Sequence, residues 1–79
     1  MDKKVVLITG GSSGIGKSIG TYLTQKGFVV YGTTRNPKNH PDFKEFELVQ
    51  LDVKDVESIQ RAVSYVISKE SRLDVLINN

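Results

Sequence analysis

The stretch Lys4–Gly20, KVVLITGGSSGIGKSIG, decides how the rest of the chain reads. Val5-Val6-Leu7-Ile8 is an apolar run with no polar alternation, the pattern of a parallel strand covered on both faces. It runs into Thr9-Gly10, and Gly14-Ile15-Gly16 follows shortly after. Ile15, Ile19, Tyr22 and Leu23 then recur at helical spacing, which predicts a helix starting near Gly14 with these residues on its apolar side. A strand, a glycine turn and a helix N-terminus, in that order, make an anion site. Glycines permit the tight turn and let the backbone approach a phosphate with no Cβ in the way. The N–H groups of the first helical turn and the positive end of the helix dipole then face the negative charge. Ser12 and Ser13 add hydroxyl donors beside those amides. The stretch reads as a cradle for a nucleotide diphosphate.

The remaining chain continues the alternation. Lys26-Gly27 closes the first helix with a basic last turn and a glycine stop, and Phe28–Thr33 reads as a second strand. Arg35–Asp42, RNPKNHPD, carries both prolines of the chain and reads as loop. Glu45–Asp52 reads as a third strand holding Phe46, Leu48, Val49 and Leu51. Asp55 is placed to cap a second helix, with Glu57 near its positive end and a stripe of Val56, Ile59, Val63, Val66 and Ile67. Asp74–Asn79 reads as a fourth strand. Such alternation predicts an α/β fold, a doubly wound parallel sheet with right-handed crossovers, and with the strands in order 3-2-1-4 the helices fall on both faces. A ligand then sits at the C-terminal strand ends. Gly10–Gly16, Thr34-Arg35, Asp52-Val53 and Asn78-Asn79 all converge on that edge.

Composition narrows the function classes. The chain has 79 residues, 38% hydrophobic and 25% charged, which allows at most one small domain. With no cysteine and one histidine, His40, thiolate metal sites and a Ser-His-Asp triad are not expected. A net charge of +2 on scattered lysines gives no nucleic-acid footprint. Met1-Asp2-Lys3-Lys4 precedes only a short apolar run, so neither a leader nor a membrane span is expected, and a cytoplasmic protein is.

The glycine spacing matches neither GxGxxG nor, in context, a P-loop. Gly11–Ser18 is a formal GxxxxGKS match, and a P-loop-like nucleoside triphosphate binder is the alternative it offers. That scheme needs Lys17 turned toward the phosphates, whereas the helix carries it away, and it has no role for Thr9-Gly10 or Asn78-Asn79. As it stands, Thr9–Gly16 resembles the TGxxxGIG signature of the short-chain dehydrogenase/reductase family. Leu51-Asp52-Val53 resembles the family's adenine-site element, and Asn78-Asn79 the opening of its NNAG motif. The resemblance spans the chain but only the first, cofactor-binding part of the family fold, so residues 1–79 read as the N-terminal portion of one dinucleotide-binding domain.

From the residues, a side chain at the tip of the second strand meets the adenosine ribose; a carboxylate there accepts from a 2′-hydroxyl, whereas arginine pairs with a 2′-phosphate. Thr34-Arg35 stands at that tip, which favours NADP(H) over NAD(H), with Lys38 nearby. The resemblance implies Gly10, Ser12, Ser13, Gly14, Ile15 and Gly16 at the pyrophosphate, Asp52 and Val53 at the adenine, and Asn79 in the ribose region. It also implies hydride transfer between nicotinamide and a carbonyl or alcohol carbon of a small substrate, in a homo-oligomer. The family's catalytic YxxxK comes later in its chains. Tyr22–Lys26 and Tyr65–Lys69 match by letters but fall on sheet-covering helices, so no catalytic residue is expected here and the segment should bind without turnover. A non-catalytic nucleotide-binding module is the competing reading. The short Arg35–Lys44 connection predicts a thinly covered sheet face, and the apolar fourth strand an open edge that favours association.

Overall fold

A computed structural model describes residues 3–79; Met1 and Asp2, ahead of the first strand, lie outside the described residues. In chain order the elements are β1 (Val5–Ile8), α1 (Gly14–Gln25), β2 (Val29–Thr34), β3 (Glu47–Gln50), α2 (Val56–Glu70) and β4 (Val75–Ile77). A turn of 3-10 helix, Pro37–Asn39, lies within the connection from β2 to β3, where the Asn36 side chain accepts from the Lys38 amide. All pairings are parallel and the order is β3-β2-β1-β4. This is the doubly wound arrangement expected from the alternation.

The register sorts the side chains into two cores. Val5 lies beside Val29 and Leu7 beside Tyr31, and these pack with Val49 and Leu51 under Ala62 and Val66 of α2. Val6 and Ile8 point the other way with Val30, under Ile19 and Leu23 of α1. All of Val5–Ile8 is buried, which is why that run shows no alternation. Asp55 caps α2, its carboxylate accepting from the Glu57 amide at 3.0 Å, and the helix ends on Ser71 in the left-handed region, φ 65°.

The buried stripes differ from the apolar spacing. Ile15 is 72% exposed and Tyr22 58% exposed, whereas Gly16 and Gly20 are buried. The helix lies so close that a Cβ on Gly16 would sit 2.5 Å from the Gly10 carbonyl oxygen. Contact through backbone replaces contact through side chains, and hydrophobic spacing cannot report it. On α2, Ser58, Ala62 and Val66 are buried while Val56 and Ile67 are exposed. Lys26 is the C-cap of α1 rather than part of its last turn.

The β2–β3 connection holds only one turn of 3-10 helix, and a side chain from it covers part of one sheet face. β3 spans only Glu47–Gln50, which leaves Phe46 outside it. The Phe46 ring packs against the Val6, Ile8 and Val30 cluster and meets Phe43 edge-to-face at 4.9 Å between centroids. Lys17 Nζ reaches the same segment, 3.7 Å from a Glu45 carboxylate oxygen.

Candidate functional site

The C-terminal edge of the sheet is built around Thr9–Gly16. The first intrahelical bond of α1 runs from the Lys17 amide to the Ser13 carbonyl. The amides of Gly14, Ile15 and Gly16 come ahead of it and, as at any helix start, have no intrahelical acceptor. The first turn holds no acidic residue, and the Ser13 hydroxyl, at the N-cap, makes no cap hydrogen bond. Gly10 has φ +65° and Gly14 φ +58°, a region that L side chains adopt at a cost. Their surroundings differ. A Cβ on Gly10 would lie 3.3 Å from Asn79 Nδ2, whereas a Cβ on Gly14 would meet nothing within 4 Å and point into open space.

Neighbouring strands pin this loop. From β2, the Thr33 hydroxyl accepts the Gly10 amide at 3.1 Å and the Thr33 carbonyl accepts the Gly11 amide at 3.0 Å. Beyond β4, the Asn79 amide donates to the Thr9 hydroxyl at 2.9 Å, and Asn79 Nδ2 donates to the Gly10 carbonyl at 3.3 Å. The Thr9 hydroxyl itself donates to Asn78 Oδ1 at 3.1 Å. Asn79 is thus a brace of the loop. Thr9 and Thr33, both buried, do the same work and carry no periodic signal in the sequence.

Arg35 is exposed just past β2, its carbonyl accepting from Gln50 Nε2. Beside that tip a cleft of about 310 Å³ lies between Ser12, Lys17 and the connection, with His40 and Glu45 in its wall. Hydrogen bonds to backbone amides of Glu45 and Lys44 hold the Glu45 carboxyl below its ordinary range, with Lys17 adding to the effect. Past β3, the Asp52 amide donates to the buried Ser58 hydroxyl at 2.9 Å and the Asp52 carboxylate accepts the Lys54 amide at 3.0 Å. Ser58 is a further site-shaping residue that the helical stripe does not reveal. Val53 is 65% exposed and, with Leu51, Ile59, Val63, Leu76 and Asn78, lines an apolar hollow of about 260 Å³. Gly10–Gly16, Arg35, Asp52, Val53 and Asn79 therefore share the sheet's C-terminal edge.

Both letter matches to YxxxK lie on the sheet-covering helices, Tyr22 on α1 with Lys26 at its C-cap and Tyr65 and Lys69 on α2. Lys69 Nζ sits 5.5 Å from the Tyr65 ring centroid, and Lys26 Nζ sits 5.4 Å from that of Tyr22. The Tyr65 hydroxyl donates to the Glu47 carboxylate, and that bond pushes its pKa up. A tyrosine acting as base needs the opposite shift. Lys17 is held toward Glu45 and stands 5.7 Å from the Phe43 ring centroid, on the side of the β2–β3 connection. Among the described residues there is no cluster of metal-ligating side chains, and no helix is long and apolar enough to cross a membrane.

Comparison with known proteins gives consistent relatives. Residues 4–79 match the family described as short chain dehydrogenase. The chain is 40% identical over 79 residues to a 3-ketodihydrosphingosine reductase of Bacteroides thetaiotaomicron, covering all of this chain and 29% of that protein. It is 33% identical to the 3-oxoacyl-[acyl-carrier-protein] reductase FabG of Buchnera aphidicola, over 100% of this chain and 34% of the relative. A crystal structure of a short chain dehydrogenase from Bacillus anthracis superposes with TM-score 0.83 at 36% identity, over 99% of this chain and 34% of that one. An actinorhodin polyketide ketoreductase with NADPH superposes with TM-score 0.86 at 30% identity, over 99% and 33%. The chain thus spans about a third of the length of these relatives.

Proposed function

The chain belongs to the short-chain dehydrogenase family, and from that premise we propose that it is the NADP(H)-binding, N-terminal portion of a single-domain oxidoreductase. Bound there, the nicotinamide exchanges a hydride with a carbonyl or alcohol carbon of a small substrate.

One observation carries this reading. At the start of α1, a helix whose first turn has no acidic residue, Gly14 holds φ +58° and leaves open the space that a Cβ would fill. A pyrophosphate laid across Gly10–Gly16 takes that space and accepts from the amides of Gly14, Ile15 and Gly16, with the Ser12 and Ser13 hydroxyls beside it. Thr33 and Asn79 hold the Gly10 end of the loop in place before the ligand arrives, which lowers the ordering cost of binding. The Arg35 guanidinium pairs with the 2′-phosphate. Asp52 and Val53 take the adenine, with the apolar hollow beside Val53 to receive a flat ring. The NADPH of the similar polyketide ketoreductase supports the same choice of cofactor. The reading includes catalytic residues outside these 79 positions, further copies of the chain in a homo-oligomer, and a cytoplasmic location.

Replacing Arg35 with Asp tests it. Titrating the full-length protein with NADPH and NADH should show preference for NADPH falling by about tenfold or more, as a charge-assisted bond of about 1.5–3 kcal/mol is lost. Equal affinity for both dinucleotides before and after the change refutes the assignment of Arg35.

A further inference from the structure

Three glycines from three different elements surround one ring. A Cβ added to Gly32 of β2 would lie 2.5 Å from Phe46 Cε1, and one added to Gly20 of α1 would lie 2.4 Å from Phe46 Cε2. One added to Gly11, inside the loop, would lie 3.4 Å from Phe46 Cε1. The Gly11 and Gly32 backbones themselves approach so closely that the same added Cβ would stand 2.8 Å from the Gly32 Cα. The ring therefore occupies a socket whose walls are the loop, the helix behind it and the strand beneath it. It arrives from the β2–β3 connection, braced by the Phe43 ring and by the Lys17–Glu45 ion pair.

We infer that Phe46 is a positioning residue for the dinucleotide cradle, filling the corner where Gly11 of the loop, Gly20 of α1 and Gly32 of β2 meet and so fixing α1 relative to the loop. The inference rests on the reading of that loop as the pyrophosphate site. Hydrogen bonds to Thr33 fix where the loop attaches: its hydroxyl takes the Gly10 amide and its carbonyl the Gly11 amide. They and the direct contact of the Gly11 and Gly32 backbones leave α1 free to shift against the loop, and a close-packed aromatic ring among Gly11, Gly20 and Gly32 removes that freedom. A smaller side chain opens space between the loop and α1, and the surroundings relax into it. The amides that meet the phosphates then spend less time correctly placed, and apparent affinity falls in proportion to that fraction. Sequence reading assigns Phe46 to a strand; its contact with the cradle exists only because the strand begins one residue later.

The test compares Phe46→Leu with Val66→Ala in the full-length protein. Val66, on α2, is wholly buried against the opposite sheet face, so its truncation loosens a core without touching the loop. NADPH titration should show Phe46→Leu binding about tenfold more weakly, as expected if the loop holds its binding arrangement one-tenth of the time, and Val66→Ala binding like the unaltered protein. Adding Gly20→Ala to Phe46→Leu puts a methyl where the ring edge was and should recover much of the affinity, although Gly20→Ala alone should weaken it. Hydrogen exchange of the Gly10 and Gly11 amides, read without any dinucleotide, should speed up in Phe46→Leu and not in Val66→Ala. Unchanged affinity and unchanged exchange in Phe46→Leu overturn the inference, as does an equal loss of affinity in Val66→Ala. If the unaltered protein binds no dinucleotide, the cradle reading itself fails; exchange at Gly10 and Gly11 then still reports whether Phe46 holds the loop.

Discussion

Gly14 offers a substitution whose effects on folding and on binding separate. Its φ of +58° lies in the left-handed region, and a Cβ there would meet no protein atom within 4 Å. Gly14→Ala therefore carries a backbone cost of about 1–2 kcal/mol and no packing cost. For chains of about 150–250 residues that is a melting-temperature drop of roughly 2–8 °C. Binding should suffer more. The methyl occupies the approach to the amides of Gly14 and Ile15, and losing one or two charge-assisted hydrogen bonds of about 1.5–3 kcal/mol each weakens NADPH by about tenfold to a thousandfold or more. Gly14→Asn sharpens the comparison, because asparagine tolerates the left-handed region far better than alanine while its side chain still blocks the approach. Its melting temperature should stay near that of the unaltered protein and its NADPH affinity should fall as far as that of Gly14→Ala. Thermal melts without ligand, paired with NADPH fluorescence titration, read both quantities. A Gly14→Asn protein that binds NADPH normally refutes the reasoning, since the glycine would then serve only the turn.

Two further perturbations address the supports of the site. Thr33→Val keeps the buried shape but removes the acceptor of the Gly10 amide; it should cost about 1 kcal/mol, the low end for an orphaned donor because Gly10 is exposed, and should weaken NADPH binding. Melts and titrations check both effects. Asp74 accepts the Val5 amide and a two-point contact from Arg72, each at 2.8 Å, and these bonds, the Arg72 pair foremost, hold its carboxyl below the ordinary aspartate range. A depressed carboxyl contributes stability above its unfolded value of about 3.9 and loses it as pH falls through the lower folded value. Asp74→Asn should therefore be less stable than the unaltered protein at pH 6 and converge with it in strong acid, as followed by denaturant melts across pH; a difference that persists undiminished in strong acid counts against this role.

Much of the architecture is local in origin and was legible from residue order. Val5–Ile8 has no polar alternation because both sheet faces are covered, and Asp55-Val56-Glu57 starts a helix through bonds within a few residues. Parallel pairing follows from strand and helix alternation, whereas the order β3-β2-β1-β4 is one of several that the crossover rule allows. Convergence of Gly10–Gly16, Arg35, Asp52, Val53 and Asn79 on one edge follows in turn, because parallel strands end on the same side.

Tertiary structure alone decided what each residue touches. Glycines that look equivalent in sequence have separate surroundings: Gly14 borders open space, Gly16 leaves room for the Gly10 carbonyl, and Gly20 for the Phe46 ring. Ile15 and Tyr22 keep helical spacing yet face outward, because the inner side of α1 carries Gly16 against the Gly10 carbonyl and Gly20 against the Phe46 ring, with Ile19 and Leu23 on the core. Thr9, Thr33 and Ser58 acquire their roles from hydrogen bonds to residues far along the chain or across a turn. The physical reason is common to all of them. Periodicity and caps are set by neighbours a few positions away, whereas close approach and hydrogen-bond partnership are set by the distance between elements, which exists only once the sheet and helices have packed.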